Sequence, residues 1–162
     1  MKIGVITISD TRSFEDDLSG PAVVNALREA GYTNFATAIV ADDVGQIRQA
    51  IRHFAEECNA IFTTGGTGFS PRDVTPEATV ALLDRRADSL CELMRLKGLD
   101  HTPYSHMSRG VAGTIGNTLV VNLPGSPSGA TQGIEALSAV LVPILSNLAG
   151  DGCPVGPDGA DC

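Results

Sequence analysis

Positive charge is scarce in this 162-residue chain: 11 Lys and Arg stand against 19 Asp and Glu, for a net charge of −8. Nucleic-acid binding needs clustered cations to displace counterions, so that class is excluded. An anionic ligand can still bind through backbone N–H groups and helix N-termini. Histidine is equally sparse. His53, His101 and His106 are scattered and make no metal-ligand spacing. Among the four cysteines, Cys58, Cys91, Cys153 and Cys162, no C-x-x-C pair occurs. Cys58 and Cys91 fall at apolar helical positions, where a reduced thiol acts as a small hydrophobe. No uninterrupted apolar run is long enough for a membrane span: the uncharged stretch from Gly110 to Ile134 is broken throughout by Gly, Pro and Asn. Lys2-Ile3-Gly4-Val5-Ile6 opens the chain with no separate signal-peptide regions, and a cytoplasmic protein is expected.

What is present points to one globular domain. Hydrophobic residues reach 43% and charged residues 19%, which excludes a disordered chain or a coiled coil. Short apolar, β-branched runs at 2–9, 35–40, 60–64 and 118–123 predict strands covered on both faces. Between them, Ser19-Gly20-Pro21 starts a helix that Gly31 stops. Val44, Ile47, Ile51, Phe54, Ala55 and Cys58 recur at helical spacing. A further helix is expected from Thr75, continuing through Leu90–Leu96 after a kink. Residues 100–110 read as loop. A last helix is expected over Ala130–Leu148, bent or restarted at Pro143. Alternation of this kind predicts an α/β three-layer sandwich around a mostly parallel sheet, in one domain over 1–149, with 150–162 as a disordered tail.

Ligands of such sheets bind beyond the carboxyl ends of the strands. The loops after Ser9, Val40, Thr64 and Leu123 all qualify. The sharpest is Gly65-Gly66-Thr67-Gly68-Phe69-Ser70-Pro71-Arg72-Asp73-Val74-Thr75-Pro76-Glu77. Its glycines let backbone amides approach a phosphate or ribose with no Cβ in the way. No Lys-Ser/Thr pair follows, so it is not a Walker A loop, and the dinucleotide spacing fails as well. Asp73, just ahead of a helix start, reads either as a cap or as a Mg²⁺ ligand for a bound nucleotide. Arg72 is either a phosphate partner or an exposed helix-flanking cation.

This motif, with Leu123-Pro124-Gly125-Ser126-Pro127, resembles the MogA/MoaB family of molybdopterin adenylyltransferases, to which the G domain of gephyrin belongs. Ser108-Arg109, Asp42 and the Ile6–Asp10 start also fit the pattern. The resemblance implies a molybdopterin-binding-type fold, a homotrimer or homohexamer, and a reaction of molybdopterin with Mg-ATP that releases pyrophosphate. It implies that Asp42 and Asp73 are the two essential acids, and the charge problem of the reaction favours reading them as Mg²⁺ carboxylates. It further implies that Gly65, Gly66, Thr67 and Gly68 form the nucleotide and phosphate loop. Ser108, Pro124, Gly125 and Ser126 would line the substrate pocket, with Ser9, Asp10, Arg72 and Thr75 completing the binding set. Asp43 adjoins Asp42, and the family register favours Asp42. A molybdenum-insertion protein is an implied partner. Two other readings share the fold: a non-catalytic molybdopterin carrier, and a nucleotide-pyrophosphate hydrolase of the competence-damage class, whose glycine loop differs from Phe69-Ser70-Pro71-Arg72.

Overall fold

Each short β-branched run folds as a strand in the computed structural model, which describes residues 1–11, 13 and 15–151. Strands β1 (Ile3–Ile8), β3 (Ala60–Thr64) and β6 (Thr118–Leu123) are buried at every position. This is why they lack a polar alternation: both faces are covered. With β2 (Phe35–Val40), β4 (Arg85–Arg86) and β5 (Ala112–Ile115) they form a six-stranded sheet of order β2-β1-β3-β6-β5-β4. Pairing is parallel from β2 through β6 and antiparallel from β6 to β5 and from β5 to β4.

Helices cover the two faces. Ile3, Val5, Phe62, Leu119 and Val121 face α1 (Ser19–Glu29), α4 (Asp88–Gly98) and α5 (Pro127–Ala149). Ile6, Ile8, Ile61 and Val120 face α2 (Val44–Ala55) and α3 (Thr75–Val80). The strand period of two thus sorts one sequence into two cores, and the fold is an α/β three-layer sandwich on a mixed sheet. Buried Asp17 holds the start of α1: its carboxylate accepts from the Ser19 and Gly20 amides at 3.0 and 3.1 Å and from the Thr7 hydroxyl at 2.6 Å.

Several local expectations are corrected. The helix from Thr75 ends at Val80, because the chain drops onto the open edge of β5. There the Asp84 and Ala87 amides donate to the carbonyls of Thr114 and Ala112 at 2.8 Å, and α4 starts afresh at Asp88. Strand β5 was not expected. It pairs with β6 through the two-residue turn Gly116-Asn117, where Gly116 takes φ +54° while, among the described residues, no non-glycine residue has a positive φ, the arrangement of a II′ hairpin turn. Residues 100–110 contain a 3₁₀ helix at Pro103–Met107 rather than loop alone. Helix α5 begins at Pro127, where Ser126 caps it by accepting from the Gly129 amide at 3.2 Å, and it runs unbroken past Pro143. Buried Leu141 and Leu145 hold it on either side of that proline. Gly150 closes it at φ +86° and the Asp151 amide donates to the Ser146 carbonyl at 3.0 Å, so the expected disordered tail starts no earlier than 152; residues 152–162, with Cys153 and Cys162, lie outside the described residues.

Helix α5 has 23 residues and is long and apolar enough to cross a membrane by length and composition. In this fold its Ala130, Gly133, Ile134, Leu137, Leu141 and Leu145 stripe is buried against the sheet, α1 and α4, as a core helix requires.

One buried amide ties the sheet to α3. Asn122, wholly buried, donates to the hydroxyls of Thr63 and Thr79 at 2.9 and 3.0 Å and accepts from the Val111 amide at 3.2 Å. Asn122→Ala leaves those groups unpaired and opens a void, so urea unfolding should show a loss of roughly 2–4 kcal/mol. A loss below about 0.5 kcal/mol, within the range of neutral surface changes, would refute this account.

Candidate functional site

The strand order reverses between β1 and β3: from β1 the chain goes to β2 on one side, and from β2 it returns to β3 on the other. A crevice opens beyond the carboxyl ends at such a point. The glycine loop leaves β3 there. Gly65, at φ +107°, passes so close to the Ile8 carbonyl that a Cβ would collide with backbone. Thr75, fully buried, donates its hydroxyl to the Gly65 carbonyl at 2.9 Å and its amide to the Gly66 carbonyl at 3.1 Å. The loop is thereby tied to the start of α3.

Two adjacent aspartates after β2 have different duties. Asp43 caps α2, accepting from the Gln46 amide at 2.9 Å. Asp42 turns toward β1 instead. The Asp42 amide donates to the Asp10 carboxylate at 3.0 Å, and the Asp10 amide donates back to the Asp42 carboxylate at 3.1 Å. Arg72 from the glycine loop pairs with Asp10. The other Asp42 oxygen faces Gly66, 3.1 Å from where a Cβ would stand, and an Asp73 oxygen faces Gly68 in the same way at 2.8 Å. Partial burial, and then the charge of Asp10, push the Asp42 carboxyl above the ordinary carboxylate range; the Asp10 amide and Arg72 offset part of that, and Asp73 adds to it. Asp73 also accepts from the Ser70 amide at 2.9 Å. Ser9 lies in the exposed turn after β1, accepting from the Thr11 amide at 3.3 Å.

Beside these acids lies a cavity of about 330 Å³. Gly66, Thr67, Gly68, Asp73, Ser108, Pro124, Gly125 and Ser126 line it. Of the expected set, Ser9, Asp10, Asp42, Gly65, Arg72 and Thr75 do not line it. The Pro124–Ser126 loop is held by the Thr64 hydroxyl on the Pro124 carbonyl at 2.6 Å and the Ser19 hydroxyl on the Gly125 carbonyl at 2.8 Å. It delivers the N-terminus of α5, with its partial positive charge, to the cavity. The opposite wall was not foreseen: Cys91, Met94 and Arg95 of α4 and Tyr104 and Met107 of the 3₁₀ helix. Burial pushes the Cys91 thiol up to about 11.

Sequence reasoning also left out Arg109, although Ser108-Arg109 belonged to the recognised pattern. The Arg109 guanidinium donates to the carbonyls of Gly68 at 2.6 Å and Asp73 at 2.7 Å, pairs with Glu77, and lies over the Phe69 ring at 5.8 Å. The Glu77 carboxyl is held below its ordinary range by that hydrogen bond.

Known proteins share this fold. Residues 4–146 match the family described as "Probable molybdopterin binding domain". The chain is 42% identical over 153 residues to the molybdenum cofactor synthesis protein cinnamon of Drosophila melanogaster, covering 91% of this chain but only 25% of that much longer protein. It is 36% identical over 141 residues to a molybdopterin adenylyltransferase of Helicobacter pylori, covering 83% of this chain and 80% of that one. The crystal structure of the molybdopterin biosynthesis enzyme MoaB of Thermus thermophilus superposes with a TM-score of 0.84 at 42% identity, covering 92% and 96% of the two chains.

The raised Asp42 carboxyl has a consequence for stability. A carboxyl whose folded pKa exceeds its unfolded value disfavours folding while both forms are ionised. That cost is complete at neutral pH and disappears as pH falls through the two values. Asp42→Asn, which keeps an oxygen for the Asp10 amide, should raise Tm at neutral pH, and the gain should fade in acid. A lower Tm than wild type at neutral pH would contradict the assignment.

Proposed function

The chain belongs to the molybdopterin-binding domain family of molybdenum cofactor biosynthesis, and from that premise we propose that it transfers the adenylyl group of ATP to molybdopterin, releasing pyrophosphate. The observation that carries this reading is the shared cavity of the glycine loop and the Pro124–Ser126 loop, with Asp73 on its wall and Asp42 facing the same loop at Gly66.

The terminal phosphate of molybdopterin, with a second pKa of about 6, is largely dianionic at neutral pH. One of its oxygens attacks the α-phosphorus of ATP. A P–O bond forms, the bond to the bridging oxygen of the β-phosphate breaks, and pyrophosphate leaves with that electron pair. No proton has to be removed, so no side chain is assigned as base. The obstacle is the meeting of two anions in a protein of net charge −8.

Mg²⁺ fits the residues present. Carboxylate oxygens are the hard donors it takes, and the Asp42 and Asp73 carboxylates face Gly66 and Gly68 of the same loop. Among the described residues, no cluster of three or more His, Cys, Asp or Glu is placed to hold a metal. Asp42 and Asp73 would hold Mg²⁺, and when bound it neutralises and orients phosphate oxygens. Asp10 orients Asp42 through their reciprocal bonds, Arg72 restrains Asp10, and Thr75 restrains Gly65. The Gly65–Gly68 segment presents backbone to the phosphates, with Ser9 beside it after β1. Ser108, Arg95 and the start of α5 serve the molybdopterin end.

We further read the protein as a cytoplasmic homotrimer or homohexamer that passes its product to a molybdenum-inserting protein. Two features support this: Cys58 and Cys91 are free thiols, and α5 exposes the apolar side chain of Val142.

The test is pyrophosphate release from Mg-ATP with and without molybdopterin. Release should depend on molybdopterin. Asp73→Asn should lower turnover about 100-fold or more while molybdopterin still binds. An unchanged turnover number would remove Asp73 from the mechanism. Wild-type binding of molybdopterin with no release would favour the carrier reading instead.

A further inference from the structure

We infer that Arg109, which does not line the cavity, is the positioning residue of the nucleotide loop and sets the aim of Asp73. The inference rests on the reading of 65–73 as the ATP-binding segment.

The first part of the loop is fastened to β1 and α3 by Gly65, Gly66 and Thr75. Its second part swings out over the surface, and Phe69 there is 70% exposed. Within that part, the Asp73 carboxylate is aimed by a short turn. The Ser70 amide donates to the carboxylate and the Asp73 amide donates to the Ser70 carbonyl, both at 2.9 Å. The carbonyls that flank this turn are those of Gly68 and Asp73. One guanidinium grips both, through Nε and Nη2. The third nitrogen, Nη1, pairs with Glu77 in the first turn of α3. The Arg109 amide adds a bond to the Thr67 carbonyl at 2.8 Å.

Arg109 is itself well anchored. It precedes β5, where the Gly110 and Val111 amides donate to the Ser108 hydroxyl and the buried Asn122 side chain. The sheet therefore fixes Arg109, and Arg109 fixes the turn. An exposed ion pair such as Arg109–Glu77 would alone contribute little. The two carbonyl bonds are the working contacts, and they need a planar fork. A lysine ammonium is a point charge on a flexible stem and cannot hold both ends of the turn in one geometry.

The test compares wild type, Arg109→Lys and Arg109→Ala in pyrophosphate release, in calorimetric binding of Mg²⁺ with α,β-methylene-ATP, in molybdopterin binding, and in Tm. Both variants should lose about 10- to 100-fold in turnover, the range expected from a displaced reacting geometry. Molybdopterin affinity should stay near wild type. Methylguanidinium should restore part of the turnover of Arg109→Ala but not of Arg109→Lys, a response that general destabilisation would not produce. If Arg109→Ala fails to fold, Arg109→Lys carries the comparison. Turnover and analogue affinity in Arg109→Lys equal to wild type would overturn the inference, as would a loss in Arg109→Ala that methylguanidinium leaves unchanged. A wild-type chain that binds no analogue overturns the adenylyl-transfer reading, and the inference falls with it. Equal analogue binding by wild type and a folded Arg109→Ala, with no loss of turnover, overturns the role of Arg109 alone.

Discussion

The contact between Gly65 and the Ile8 carbonyl is the constraint on which the site depends. It lies where the strand order reverses, and there the chain leaving β3 must pass close over the end of β1. A Cβ would force the two strand ends apart. The gap through which the Asp42 carboxylate reaches Gly66 would then be lost, along with the register of the loop on Thr75. Parallel strands supply only the common edge. The close backbone approach at that edge turns four neighbouring loops into one surface.

Charge is distributed on that surface with little to spare. Arg72 is committed to Asp10, and Arg109 to two carbonyls and Glu77. Neither is directed at the cavity, where Arg95 is the cation on the wall. Anions there must be met by backbone N–H groups, by the start of α5 and, in the proposed reaction, by a divalent ion between carboxylates. In that proposed reaction the cation would arrive as part of the incoming substrate.

The strands β1, β2, β3 and β6 and the helix α2 were legible in the sequence, because continuous apolar runs and the Ile47, Ile51, Phe54 spacing reflect burial directly. Strands β4 and β5 were not. Arg85 and Arg86 are exposed, and Ala112-Gly113-Thr114-Ile115 has little apolar bulk, so their pairing is decided by the neighbouring edge rather than by their own composition. The Gly116-Asn117 turn was the available signal. The glycine loop and the Pro124–Ser126 loop were readable as motifs. Which of Asp42 and Asp43 caps a helix is a matter of where two side chains turn, and the role of Arg109 rests on partners 32 to 41 positions away. No local pattern carries either.

The thiol in the cavity wall has a chemical consequence of its own. Burial pushes the Cys91 thiol well above its ordinary range, so it is held as the neutral thiol at neutral pH. Alkylation, sulfenic acid formation and mixed-disulfide exchange all proceed through the thiolate. A ligand that itself carries sulfur or a reactive electrophile can rest against this wall without being captured by it. Burial thus lowers the reactivity of the Cys91 thiol while keeping its soft, polarisable sulfur in the wall.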